Sequence, residues 1–523
     1  MFSFTLKKTY LIIAKILLII APFTNSIMRH SLVTTILVFA LLHAFSQTVE
    51  LSPSINGPLK YFAINPNYFT DNSGNAIFLT GSHTWENFQD ISSEENIPKL
   101  NWKEYLDMME SKNHNFMRFW VWEHPYGASW SSMPITIEPM PYLRTGKDKA
   151  FDGNPKFNLD KWNEDYFKRI RERVIDAGKR GIYVSVMLFQ GWSLNKGGIK
   201  GADPFHSHPY HTKNNVNGVD VKDKGIDKEG LPTLHSLDNK SVLARQEAYV
   251  KKVIETVNDL DNVLYEIINE GGTVEWCYHI INYIKEVEKK MPKQHMVGLG
   301  NRVGPPMLNK LLWDSPADYI SPVWEPQAWA VSGSVMVDEY GTNPPVNKAN
   351  KVCIIDTDHL WGYGGHYVWA WKSFMRGLNP IFMDTWKPLP GKMTTKEMDW
   401  AFTTGEIIRL DKNFPDYGPL RDNMGYINTI AKRVDLKNMK PRADITSTRY
   451  CLANPGKEYL VYYPHFTTTA TIDLSDVDGE LSIEWFIPSL NQLVKAPATI
   501  KGGYFVAIEA PTSMDAVLYL KAK

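Results

Sequence analysis

Asn262–Gly272 reads NVLYEIINEGG, and the fold turns on how these residues are taken. Val263, Leu264, Tyr265, Ile267 and Ile268 form an apolar run with the length and composition of a short strand buried on both faces. The run stops abruptly at Asn269 and Glu270, with two glycines behind them. In a barrel of parallel strands, the strand ends and the loops after them build the functional face, so a polar pair placed there points into a cleft. The competing assignment is a helix start, in which Asn269 and Glu270 cap a helix predicted over 274–290. The flanking sequence bears on the choice.

Working outward, strands are predicted at 76–82 (AIFLTGS), 115–122 (NFMRFWVW) and 181–188 (GIYVSVML) before this stretch, and at 295–300, 318–323, 351–356 and 380–385 after it. Helical patterns fall at 102–112, 159–179, 241–257, 274–290, 365–376 and 394–410. Eight strands with intervening helices predict an α/β fold, a (β/α)8 TIM barrel over 47–411, because right-handed crossovers place each helix outside the strands. An open doubly wound sheet is the alternative, but no Gly-rich phosphate loop follows the first strand and no GxxxxGK[ST] motif occurs. The connection over 189–239 is far longer than ordinary and reads as a cleft-building insertion. A helix-like linker at 412–442 leads to short alternating strands at 450–453, 459–463, 470–474, 481–486, 504–508 and 516–520, separated by Asn-Pro-Gly, Asp-Gly and Gly-Gly turns. Residues 443–523 are therefore expected to form a small all-β sandwich.

Composition narrows the partners. Lys plus Arg and Asp plus Glu each number 57 in 523 residues, so no long-range field favours nucleic acid or an anionic membrane. Seventeen Trp and 25 Tyr suit both a large core and a carbohydrate cleft. Residues 1–46 hold two apolar runs, 11–22 and 32–45, each preceded by basic residues, with small residues before Gln47. They read as a secretory signal region with Met28 as an alternative start and cleavage near Ser46/Gln47, giving a periplasmic or secreted protein. The other reading keeps the first run as a membrane anchor. Cys277, Cys353 and Cys451 are too few and too scattered for a disulfide framework. No cofactor is implied.

Glycosidic bond cleavage needs one carboxylic acid to protonate the leaving oxygen and a second carboxylate to attack the sugar or activate water. Glu270 is the first candidate. The seventh strand offers the second, since KVCIIDTDHLWGYGG places Asp356 and Asp358 two residues apart on one face. With His359 these aspartates could instead ligate a metal, but no second His-rich strand end joins them, and no metal is expected. Arg118 lies inside a strand, where a buried charge must be paired. Asp384, at the end of strand eight, is a further carboxylate that could simply hold Arg118. His83, Trp85, Trp120, Trp122, Trp192, Trp324 and Trp386 all fall at or just beyond strand ends, where rings can stack on sugars or merely pack.

The Asn269-Glu270 pair, Arg118 and a strand-seven carboxylate resemble the clan of retaining barrel glycosidases that includes cellulases. More narrowly, FLTGSHTWENF, NFMRFWVWEH, HPYHTKNNVNG and YEIINEGG resemble the apiosidase-like, cellulase-related barrels of polysaccharide-degrading bacteria, and YCLANPGKEYLVYYP resembles a domain type labelled collagen-binding that follows them. The resemblance implies a hydrolase acting on a poly- or oligosaccharide. Glu270 would be the acid/base, Asn269 would bind the hydroxyl beside the reacting carbon, and Arg118 would support the nucleophile. The chain departs from the clan at strand seven, where Glu is usual and Asp356-Thr357-Asp358 stands here; Asp358 is the first choice for nucleophile and Asp356 the second. His83, the tryptophans, His359 and Asp384 would line the substrate site. A carbohydrate-binding protein without catalysis, or a lyase or transglycosidase, are the alternatives.

Overall fold

The computed structural model describes residues 51–93, 99–128, 134–195, 203–221, 233–300, 309–322, 344–347, 350–357, 366–383, 386 and 417–523. The proposed signal region, Trp324, Asp358, His359 and Asp384 lie outside these residues, as does the helix expected at 394–410. Residues 51–523 form one compact unit.

Eight strands close into a parallel barrel: β1 (Gly81–His83), β2 (Phe116–Phe119), β3 (Tyr183–Gln190), β4 (Val263–Asn269), β5 (Val297–Leu299), β6 (Tyr319–Ile320), β7 (Val352–Asp356) and β8 (Asn379–Met383). Closure comes from β8 against β1, with Ile381 opposite Gly81 and Met383 opposite His83. All eight strand expectations meet a barrel strand, and β4 is buried along its whole length. Helices α1 (Trp102–Ser111), α2 (Glu164–Lys179), α3 (Lys240–Val257), α4 (Val274–Glu288) and α5 (Tyr367–Met375) lie between strands. In α4, Trp276, Cys277, Ile280, Ile281 and Ile284 recur at helical spacing and are fully buried, the stripe that holds a helix against a barrel.

One expectation needs correction. The helix predicted over 159–179 starts only at Glu164, because Leu159 and Trp162 belong to a hairpin, Tyr142–Lys149 against Pro155–Trp162. Both are partly or wholly buried from a strand, so their apolar character mimicked the first turn of a helix.

Helix α6 (Gly418–Arg433) follows β8, packs on the outside of the barrel against β8, β1 and α5, and joins it to the last domain. Its Arg421 carbonyl lies 3.0 Å from His114 Nε2, and Asn428 Nδ2 donates to Asn113 C=O at 2.7 Å. Trp371 of α5 donates its indole N–H to Asn423 Oδ1 of α6 at 2.8 Å and stacks on Tyr462 of the last domain at 6.1 Å. That domain has a six-stranded antiparallel sheet faced by the two-stranded pair Thr469–Asp473 and Phe505–Glu509. Val461, Tyr463, Ile472, Trp485 and Leu518 fill the space between the sheets.

Candidate active site

Arg118 sits third in β2 with its side chain almost wholly buried. A guanidinium in that position survives only with carboxylate partners. Nε donates to Glu266 Oε2 at 2.9 Å and Nη2 to Glu266 Oε1, a two-pronged contact that suits the planar fork of arginine. Nη1 donates to Asp356 Oδ2 at 3.1 Å and Nη2 also to Asn269 Oδ1 at 3.2 Å. One side chain thus ties the end of β4 to the end of β7. Burial alone would push the Arg118 pKa down, but the charges of Glu266 and Asp356 outweigh it and hold the guanidinium firmly protonated.

Glu266 does not stand out in the sequence, where β4 reads as an apolar run. The signal was there: a glutamate in a strand buried on both faces needs a cation, and Arg118 in β2 is the matching embedded charge. Gly300, just after β5, leaves the room for this contact, since a Cβ there would stand 2.9 Å from Glu266 Oε1 and from the Ile268 carbonyl oxygen.

The helix after β4 is capped by Thr273, whose hydroxyl accepts from Trp276 N at 3.3 Å, so Asn269 and Glu270 are not its cap. Asn269 serves Arg118 instead. Glu270 is partly exposed and has φ of 48°, followed by Gly271 and Gly272, also at positive φ. A glutamate in the left-handed region costs about 1–3 kcal/mol and persists only where its surroundings impose it. Gly191, after β3, is part of that surrounding: a Cβ there would lie 2.1 Å from the Glu270 carbonyl oxygen.

The chain leaving β1 zips along the chain leaving β2 through side-chain amides. Asn87 Nδ2 donates to Arg118 C=O at 2.6 Å while Asn87 Oδ1 accepts from Trp120 N at 2.8 Å. Gln89 repeats the pattern two residues on, accepting from Trp122 N at 2.6 Å and donating to Trp122 C=O at 3.1 Å. Arg118 is therefore held by its backbone as well as by its head.

The aromatic expectations divide. Trp120 and Trp122 are buried, and Trp122 donates its indole N–H to Trp85 C=O at 2.8 Å, so these two rings pack rather than offer a face to a sugar. The amide zipper draws them inward. Trp85 is buried in the same cluster, 6.2 Å from Trp120, with Trp192 at 5.6 Å. Trp192 and Trp386 are the partly exposed rings of the set among the described residues. Trp386 donates its backbone N–H to Thr84 Oγ1 and leans on Tyr105 at 5.6 Å. His83 is fully buried, 5.2 Å from the Trp120 ring, with no hydrogen-bond partner for either ring nitrogen among the described residues. Burial, with Arg118 nearby, holds it neutral. Arg118 is held by Glu266 and Asp356 within the described residues, a role the sequence offered to Asp384.

Glu86 is a further carboxylate at this end of the barrel, buried beyond β1 with Thr84 Oγ1 donating to its Oε2 at 3.0 Å. Burial pushes its pKa up to about 7, with the Thr84 contact opposing weakly.

A domain of unknown function, DUF6298, matches residues 130–304, which span β3, β4, β5 and the insertion between β3 and β4. No curated protein matches the chain. Solved structures share its fold. A candidate glycoside hydrolase from Bacteroides vulgatus ATCC 8482 is 13% identical, with 90% of this chain and 83% of that one covered at a TM-score of 0.56. A family 5 glycoside hydrolase from the same organism is 14% identical, with 90% and 95% covered at 0.54. A further glycoside hydrolase gives 14%, 90% and 98%, also at 0.54. The chain has the barrel architecture of these proteins.

Proposed function

We propose that this protein is a glycoside hydrolase in which Glu270 is the general acid/base and a strand-seven aspartate its partner. The observation that carries the reading is Arg118, whose guanidinium joins Asn269, one residue before Glu270, to Asp356 at the end of β7. A carboxylate paired with a guanidinium carries the negative charge that attack on a sugar carbon needs. Glu270, partly exposed and held by its strained loop, would give its proton to the leaving oxygen and then take one from water in the second step. Asp358, two residues beyond Asp356, is the rival partner from the sequence. The apiosidase-like and collagen-binding resemblances, and export through residues 1–46, join this proposal from the sequence alone.

The test is glycan release across a panel of polysaccharides and oligosaccharides, with Glu270→Gln, Asp356→Asn and Asp358→Asn beside the wild type. Release that collapses in Glu270→Gln and in one aspartate variant identifies the pair. Retention of anomeric configuration, read by NMR on fresh product, is expected from the two-step route. The burial of Asp356, with its side chain only 5% exposed, favours a second reading in which it is a structural partner of Arg118 and the cleft binds glycans without cleaving them. Glycan binding with no turnover on any substrate would select that reading.

A further inference from the structure

We propose that Glu123 is a positioning residue, one carboxylate that clamps the segment inserted after β3 to the loop that carries Glu270. It lies in the chain leaving β2, its side chain 10% exposed. Oε1 accepts from Gln190 N at 2.7 Å and from His235 Nε2 at 3.0 Å. Oε2 lies 3.4 Å from His208 Nε2 and 3.2 Å from His235 Nε2. Tyr210 N donates to His208 Nδ1 at 3.0 Å, so the proton of this imidazole sits on Nε2 and points at Glu123. Burial would raise the Glu123 pKa, but the two histidines bring it down to about 2.

Each partner leads to a different part of the site. His208 belongs to a stretch stitched to itself by amides: Asn214 Nδ2 donates to His206 C=O and His208 C=O, and Asn215 Nδ2 to Pro209 C=O and Val219 C=O. This unit docks on the barrel through Glu123 and through Ser207 Oγ, which donates to Tyr126 C=O. Those contacts give HPYHTKNNVNG, prominent in the sequence, a structural task. His235 leads elsewhere. Its carbonyl accepts from Thr273 N at 2.9 Å, and Thr273 caps α4 directly behind Glu270, Gly271 and Gly272. Gln190 leads to Gly191, whose N–H donates to Asn269 C=O at 2.9 Å on the other side of Glu270. Both flanks of Glu270 therefore answer to the same carboxylate.

The kinetic part of this proposal rests on the hydrolase reading; the structural part does not. The variants Glu123→Gln, His208→Leu, His235→Leu and His235→Gln are made in the full chain. His208→Leu frees the insertion, so KM rises about tenfold with kcat little changed, whereas His235→Leu loosens the acid/base and lowers kcat about 10- to 100-fold with KM little changed. His235→Gln keeps an N–H donor for the carboxylate and restores kcat to within about threefold. Glu123→Gln shows both losses. Amide hydrogen exchange gives a readout independent of turnover: in Glu123→Gln, segments 203–221 and 269–276 exchange at least about tenfold faster while α2 keeps its wild-type protection. Wild-type exchange in both segments of Glu123→Gln, or His235→Gln as impaired as His235→Leu, overturns the clamp. If the wild type cleaves no glycan, the hydrolase reading fails and the exchange experiment still decides the clamp.

Discussion

Two buried glutamates, one beyond β1 and one beyond β2, have opposite electrostatic fates. Glu123 receives a backbone N–H and two imidazoles and its pKa falls to about 2, whereas Glu86 receives a threonine hydroxyl and its own backbone N–H, with no imidazole among the described residues, and rises to about 7. Burial is nearly the same for both, so the donors decide the charge. The Arg118 cluster extends the contrast, because there a guanidinium balances Glu266 and Asp356.

The contrast can be broken most severely at Arg118. Arg118→Met leaves Glu266 and Asp356 without their cation, and denaturant unfolding at pH 7 should show a loss of about 3–5 kcal/mol. If charge is the cause, Arg118→Lys, which keeps a cation beside the two carboxylates, loses less than Arg118→Met. A loss equal in both variants would assign it to the packing and shape of the guanidinium.

Next in size, His208→Leu combined with His235→Leu leaves Glu123 with only Gln190 N among these donors. Stability at pH 7 should fall by about 3 kcal/mol as the carboxylate loses the donors that hold it charged and its pKa rises toward that of Glu86. An unchanged denaturation midpoint would show that the imidazoles contribute no net stability.

Glu86→Gln approaches the comparison from the other side. The folded pKa of about 7 lies above the ordinary 4.5, so between these values the unfolded chain releases a proton that the folded one keeps, and wild-type stability falls as pH rises. Glutamine is neutral throughout. The variant should match the wild type below pH 4.5 and exceed it by up to about 3 kcal/mol above pH 7. A stability difference that does not change with pH would contradict the raised pKa.

The smallest effect separates strain from charge. Glu270→Gly removes the cost of a side chain at φ of 48° and should stabilise the protein by about 1 kcal/mol while abolishing glycan release. Destabilisation instead would mean that the Glu270 side chain contributes more to the fold than its backbone costs.

The barrel strands were legible because their interiors are continuous apolar runs with polar residues massed at one end, as in β4. The strand Gln492–Lys501 was not, since QLVKAPATIK is largely exposed and contains a proline, and neither feature marks a strand. At the site, Arg118, Asn269 and Asp356 could be singled out because their residue types are out of place in or beside buried strands. Glu123 could not. It looks like an ordinary polar residue after a strand, and its partners His208 and His235 lie 85 and 112 residues away, a pairing that no local pattern encodes. Glu266 was legible in principle, as half of a charge pair whose other half was already in view.

The last domain sets an order of events during synthesis. Strand Ala516–Ala522 is translated after the other five strands of its sheet, yet it lies inside that sheet, paired with Glu458–Tyr463 on one side and Glu480–Ile487 on the other. The sheet cannot be completed until that strand leaves the ribosome. Val517 from this strand, with Leu460 and Tyr462, also joins the apolar cluster that covers Trp371 and Phe374 of α5 and Met424 and Ile427 of α6. A nascent chain interrupted shortly before Ala516 would carry a finished set of barrel strands with part of the apolar surface of α5 and α6 uncovered, a species for chaperones to hold or proteases to remove.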